Sequence, residues 1–160
     1  MIREARQEDI PACVEVVRRS FKTVADEFGF TEENAPRFTA FATDEGRLNY
    51  HMMVEKRPTF VSCDGEKIVG YCSLMITDGG ECELSNLSVL PEYRHGGIGR
   101  QLTERAEVEA KKLGCKLMKL GIVEENTVLR AWYESLGFVH TGTEKFDFFP
   151  FTCGYLEKRI

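Results

Sequence analysis

No apolar run in the 160 residues approaches the roughly 20 that a bilayer-spanning helix requires. The opening MIREARQEDI carries charges where a secretory signal has its apolar core. Neither a membrane partner nor export is therefore expected, and the expected compartment is the cytoplasm. The six cysteines (Cys13, Cys63, Cys72, Cys82, Cys115 and Cys153) form no CxxC pair, and most lie in apolar stretches. They are expected to be small buried hydrophobes in a reducing compartment, not a disulfide framework or a zinc site. Three scattered histidines, His51, His95 and His140, offer no metal-ligand spacing, so no metal is expected. A basic excess is also missing. With 21 Lys and Arg against 26 Asp and Glu, the net charge is −5, which argues against non-specific nucleic-acid binding. The same charge mildly favours a cationic acceptor. Repeats, low-complexity tracts and linker-like stretches are absent, so residues 1–160 read as a single domain.

What is present is a regular alternation of elements. Ile2 to Ala5 is a short strand. Asp9 is placed to cap a helix with Pro11 in its first turn, and Ile10, Val14, Val17 and Phe21 continue with helical spacing to about Lys22. Thr31, Asn34 and Pro36 mark a second helical region, and a further helix is expected from about Asp44 to Lys56. Thr59 to Cys63, the Asp64-Gly65 turn and Ile68 to Thr77 read as a hairpin. Glu83 to Leu90 follows as a third strand. Gly97 to Leu113 is an amphipathic helix closed by Gly114. Cys115 to Ile122 is a strand, and Asn126 to Leu136 is a helix closed by Gly137. Phe138 to Asp147 and Phe151 to Lys158 form a last antiparallel pair. The fold class is α/β (α+β), a mixed sheet with helices on both faces.

The chemistry is concentrated in LSNLSVLPEYRHGGIGRQL, where a turn with three glycines joins a strand to a helix. Glycines let the backbone approach a ligand, and the first N–H groups of a helix are unpaired. The helix dipole adds attraction for phosphate, and Arg94 and Arg100 supply mobile cationic charge at the two ends. The turn is not a Walker motif, because GxxxxGK[ST] is absent. Nor is it a dinucleotide fingerprint, since it follows the third strand of a meander and no repeated βαβ units surround it. A turn that binds nothing stays open at this point.

Arg94-His95-Gly96-Gly97-Ile98-Gly99 resembles the R/Q-x-x-G-x-G/A signature of the GNAT N-acetyltransferase superfamily, preceded by its Val-x-Pro step at Val89 and Pro91. That family's second signature, Asn followed seven residues later by Tyr and then Gly-Phe, is matched by Asn126, Tyr133, Gly137 and Phe138. Leu129 stands where a small residue is usual, and Trp132 where Leu is common. The likeness is specific from about residue 67 to 138. It implies a central sheet of about seven, mostly antiparallel strands flanked by helices on both faces.

The resemblance also implies a function: transfer of an acetyl group from acetyl-CoA, the donor substrate, to a primary amine attacking directly in a ternary complex. Backbone N–H groups from His95 to Arg100 would cradle the CoA pyrophosphate, with pantetheine along the strand at Leu87, Ser88 and Val89. The Leu87 N–H is the candidate for polarising the acetyl carbonyl. Tyr133 is the candidate acid for the departing thiolate. Its phenol pKa, about 10, lies above the thiol's, about 8.5, so a hydrogen bond describes the role better than full transfer. Glu83, eleven residues before Arg94, is the candidate base, and Glu81 shares its strand face. Each of the two has the alternative of being a solvated hairpin charge. Asn126 either bonds pantetheine, caps its helix, or does both. Tyr50, His51 and the run from Phe146 to Phe151 either line the acceptor pocket or belong to the core or a homodimer contact. The acceptor is a small-molecule amine or a peptide amine, and no motif chooses between them. A non-catalytic CoA-binding regulator and a plain interaction module are the competing classes.

Overall fold

In the computed structural model, which describes residues 1–160, a seven-stranded sheet has the order β1-β2-β3-β4-β5-β7-β6. The strands are β1 (Ile2–Glu4), β2 (Thr59–Asp64), β3 (Lys67–Thr77), β4 (Glu81–Val89), β5 (Leu117–Val123), β6 (Val139–Lys145) and β7 (Thr152–Arg159). Every strand pairing is antiparallel except β4 with β5. The expected mixed, mostly antiparallel sheet is therefore present. No helix is long and apolar enough to cross a membrane.

Two helices cover one face. α4 (Ile98–Lys112) and α5 (Thr127–Ser135) pack Leu102, Ala106, Ala110 and Tyr133 against Cys72, Leu84, Met118 and Leu120 of the sheet. The opposite face is covered by α1 (Ile10–Phe28) and α3 (Glu45–Asn49), whose Val16, Val17 and Leu48 meet Val61, Tyr71 and Leu90. Five of the six cysteines are buried and none is in a disulfide, consistent with their use as small apolar residues.

Three elements differ from the sequence expectation. α1 does not stop at Lys22 but runs to Phe28, where Gly29 closes it in a left-handed conformation (φ 74°). Its extra turns bring Ala25 into a third cluster with Phe30, Phe38 and Phe151, so long-range burial extends the helix. Thr31 to Pro36 is not helical. Thr31 and Asn34 instead bond each other's backbone N–H reciprocally, at 2.8 and 3.2 Å, a local closure that competes with helix. A short helix α2 (Thr39–Ala42) follows. The segment from Asp44 to Lys56 splits: Asp44 caps α3 by accepting from the Arg47 N–H at 2.7 Å, and Tyr50–Val54 then widens into a π turn.

Candidate active site

The strands β4 and β5 pair only from Glu81–Leu117 to Glu83–Lys119 and then diverge. Beyond Glu83, the backbone groups of β4 facing β5 have no strand to bond, which leaves a slit between the two strands. A bulge sits beside it. Ser73 pairs with Ser85, but Tyr71 pairs with Ser88, so β4 carries one extra residue there. Asn86 absorbs it with φ 54°. The extra residue exchanges the two faces of the strand. Before it, Leu84 points to the α4–α5 side and Glu83 to the α1–α3 side. After it, Leu87 joins the α4–α5 cluster and Leu90 the α1–α3 cluster. Ser88 is buried, and its hydroxyl donates to the Asn86 carbonyl at 2.8 Å.

The turn from Arg94 to Gly97 enters α4 through two left-handed residues, His95 (φ 66°) and Gly97 (φ 84°). The N–H groups of His95, Gly96, Gly97, Ile98, Gly99 and Arg100 find no backbone acceptor. Gln101 is the first residue of this stretch to donate, to the Gly97 carbonyl at 3.0 Å. Six successive unpaired donors at a helix N-terminus make a site for an anion. Gly99 has a second reason to lack a side chain, because a Cβ there would stand 3.2 Å from the Trp132 indole.

The arginines flanking this turn are not equivalent. Arg100 is exposed and pairs only with Glu104, at 3.1 Å. Arg94 is not the mobile charge expected from sequence. Its guanidinium donates to the Ser20 carbonyl (3.0 Å), the Ser20 hydroxyl (3.1 Å) and the Thr23 hydroxyl (3.1 Å), which ties the turn to α1. Partial burial without a carboxylate partner lowers its pKa.

On α5, Asn126 accepts from the Leu129 N–H at 3.2 Å and so caps the helix. Tyr133 is 6 % exposed, between the rings of Trp132 (4.9 Å) and Phe138 (5.6 Å). Burial pushes its phenol well above the ordinary value.

The other side of the slit holds the carboxylates, and they separate. Glu81 is bound by Lys119 across the parallel pair at 3.0 Å, so a free Glu81–Glu83 carboxylate pair does not exist. Glu83 lines a cavity of about 240 Å³ on the α1–α3 side, together with His51 and Arg57. Burial raises the Glu83 pKa and the Arg57 charge draws it partly back. His51 is lowered, first by burial and then by Arg57.

Of the aromatic candidates, Tyr50 is exposed and does not line this cavity. Phe151 is core, with Phe149 stacked on it at 4.6 Å. Phe148 stays exposed under the Arg37 guanidinium, 4.3 Å from its ring centre. Sequence reasoning missed Arg37, Arg47 and Arg57 as cavity residues. They are scattered over a loop, a short helix and the residues after the π turn, with no periodicity to flag them.

The family model for the acetyltransferase (GNAT) family matches residues 19–138. The chain belongs to that family. Among curated relatives, the [ribosomal protein bS18]-alanine N-acetyltransferase of Escherichia coli K12 is 31% identical over 117 residues, covering 65% of this chain and 76% of that protein. An amino-acid acetyltransferase of Pseudomonas putida is 31% identical over 136 residues. That match covers 82% of this chain but only 29% of the relative, so the chain spans under a third of that protein's length. Among solved structures, the paia N-acetyltransferase of Thermoplasma acidophilum in complex with coenzyme A superposes with a TM-score of 0.86 at 24% identity, over 100% of this chain and 98% of that one. Membership of that family accounts for the seven-stranded sheet.

Proposed function

We propose that the protein is an acetyl-CoA-dependent N-acetyltransferase in which a primary amine attacks the thioester directly in a ternary complex. The observation that carries this reading is the slit between β4 and β5. The six unpaired N–H groups open α4, which packs on one face of the sheet beside it, and the Glu83 cavity lies on the other face. The residues fit the donor. His95 to Arg100 offer the pyrophosphate backbone donors with no competing protein acceptor, and the open edge of β4 at Leu87, Ser88 and Val89 offers strand-like bonding to the pantetheine amides. The names of the relatives, an amino-acid and a ribosomal-protein-alanine acetyltransferase, agree on an amine acceptor.

In the reaction, the amine nitrogen bonds to the acetyl carbon, the C–S bond breaks, and the sulfur keeps the electron pair. The ammonium proton passes to Glu83, which burial makes a stronger base than an exposed carboxylate. The Leu87 N–H steadies the carbonyl oxygen as it gains charge. Tyr133, kept protonated by burial, donates a hydrogen bond to the leaving thiolate. Asn126 acts through its cap, holding α5 and thereby Tyr133 in place.

The test is thiol release from acetyl-CoA with a panel of amines, run beside a thermal-shift titration with CoA. Amine-dependent thiol release that falls in Tyr133→Phe and Glu83→Gln is the expected result. Stabilisation by CoA with no thiol release from any amine would instead make the chain a non-catalytic CoA-binding protein. A melting temperature unmoved by millimolar CoA would leave only an interaction module.

A further inference from the structure

The Glu83 cavity carries the opposite sign to the whole chain. The protein has a net charge of −5, yet this cavity is lined by Arg37, Arg47 and Arg57 with Glu83 as its one carboxylate. Arg37 and Arg47 have no carboxylate partner: Arg37 lies over Phe148, and Arg47 reaches only the Ala42 carbonyl, at 3.4 Å. Arg57 is paired at 3.1 Å with Glu55, which is exposed outside the cavity. His51, the remaining titratable group of the lining, has its pKa lowered by burial and then by Arg57, with Glu55, 3.8 Å away, drawing it partly back and Arg47 adding to the lowering. Within this small space, positive charge outweighs negative.

Two polar atoms of the lining residues are also unsatisfied. Arg57 Nε and His51 Nδ1 are sealed from solvent and have no hydrogen-bond partner. Buried polar groups are rarely left this way without a ligand or water to complete them. Guanidinium groups are planar forks that match carboxylate and phosphate oxygens. A dication or polyamine entering here would instead meet the unpaired guanidinium charges of Arg37 and Arg47, and that of Arg57 partly offset by Glu55, for the one carboxylate of the lining.

Resting on the acetyltransferase reading above, we infer that the acceptor is a small amine bearing its own anionic group, a carboxylate or a phosphate. Its amine lies at Glu83 and its anion among Arg57, Arg47 and Arg37. A volume of about 240 Å³ falls below the roughly 300–1,000 Å³ of drug-sized sites and suits a ligand the size of an amino acid.

Matched pairs that differ only in the anion test this: lysine against cadaverine, serine against ethanolamine, and O-phosphoserine against serine to separate phosphate from carboxylate. Each is measured by calorimetric binding to the CoA-loaded protein and by thiol release from acetyl-CoA. The anionic member of at least one pair is expected to bind and react about tenfold or more better than its partner. Arg47→Gln, on an exposed side chain, and Arg57→Gln are expected to raise KM for that amine about tenfold while leaving KM for acetyl-CoA unchanged. Cadaverine or spermidine binding as well as or better than lysine overturns the inference, as does a complete lack of binding by the anionic members. Binding of an anionic amine without thiol release from any amine would defeat the acetyltransferase reading while leaving the charge inference standing.

Discussion

The Trp132 indole occupies the space beside Gly99 so fully that a Cβ at Gly99 would stand 3.2 Å from its Cη2 and 3.3 Å from its Cζ2. The large ring on α5 and the missing side chain on α4 are one fitted contact. The N-terminus of α4, with its unpaired donors, is held to α5 through it.

Gly99→Ala therefore overpacks this contact. It is expected to cost about 1–3 kcal/mol and to raise KM for acetyl-CoA, because the donor run from His95 to Arg100 shifts with the helix. Gly99→Ala combined with Trp132→Leu is expected to recover part of both losses. Thermal melts and donor KM values for the single and double variants decide the matter; no recovery in the double variant would break the link.

Glu83 makes a pH prediction with a definite sign. Burial holds its carboxyl above the ordinary 4.5 in the folded chain, so the folded state binds that proton more tightly than the unfolded state. The ionised group then costs stability at neutral pH, and the cost disappears as the pH falls through the folded-state value. Glu83→Gln is expected to melt higher than the parent at pH 7, with the difference closing on acidification. Its kcat/KM is expected to fall about 10²-fold or more and to lose the acid limb of the pH profile.

Tyr133→Phe removes a hydroxyl with no partner inside the protein, so little change in melting temperature is expected. A fall in kcat of about 10²-fold, with KM for acetyl-CoA nearly constant, is the expected kinetic outcome. Because burial raises the phenol pKa, the parent enzyme is expected to show no loss of kcat from this group at pH 10. A rise in KM with unchanged kcat would reassign Tyr133 to packing.

Arg94 and Arg100 are expected to separate in the same pair of assays. Arg94→Ala breaks three hydrogen bonds to α1 and is expected to cost about 1–3 kcal/mol. Arg100→Ala removes one exposed i,i+4 pair, worth about 0.3–0.5 kcal/mol, and is expected to leave the melt nearly unchanged. If the backbone is what holds phosphate, neither change should raise donor KM as much as disturbing Gly99.

Much of this was readable from the chain because the signals are local. Gly114 and Gly137 close their helices with positive φ, Asp44 and Asn126 cap theirs, and the period-two strands sit within a few residues of their expected limits. The Arg94–Arg100 turn and the Asn126–Phe138 helix carried the family likeness for the same reason. What escaped depended on distant partners. Nothing near Glu81 announces Lys119, nothing near Arg94 announces Ser20, and the last turns of α1 bury Ala25 in a cluster that includes Phe151, far along the chain. The cavity arginines are the clearest case, since overall composition points to the opposite charge.

The bulge at Asn86 has a kinetic meaning. Glu83, before it, faces the α1–α3 side, and Leu87, after it, faces the α4–α5 side that holds Tyr133. The nucleotide and the amine would arrive by separate doors, so neither has to wait for the other to leave. Initial-rate plots in which both substrates vary are then expected to intersect, without an obligatory sequence of arrival. A single compound that inhibits as both substrates at once would have to pass through the sheet itself.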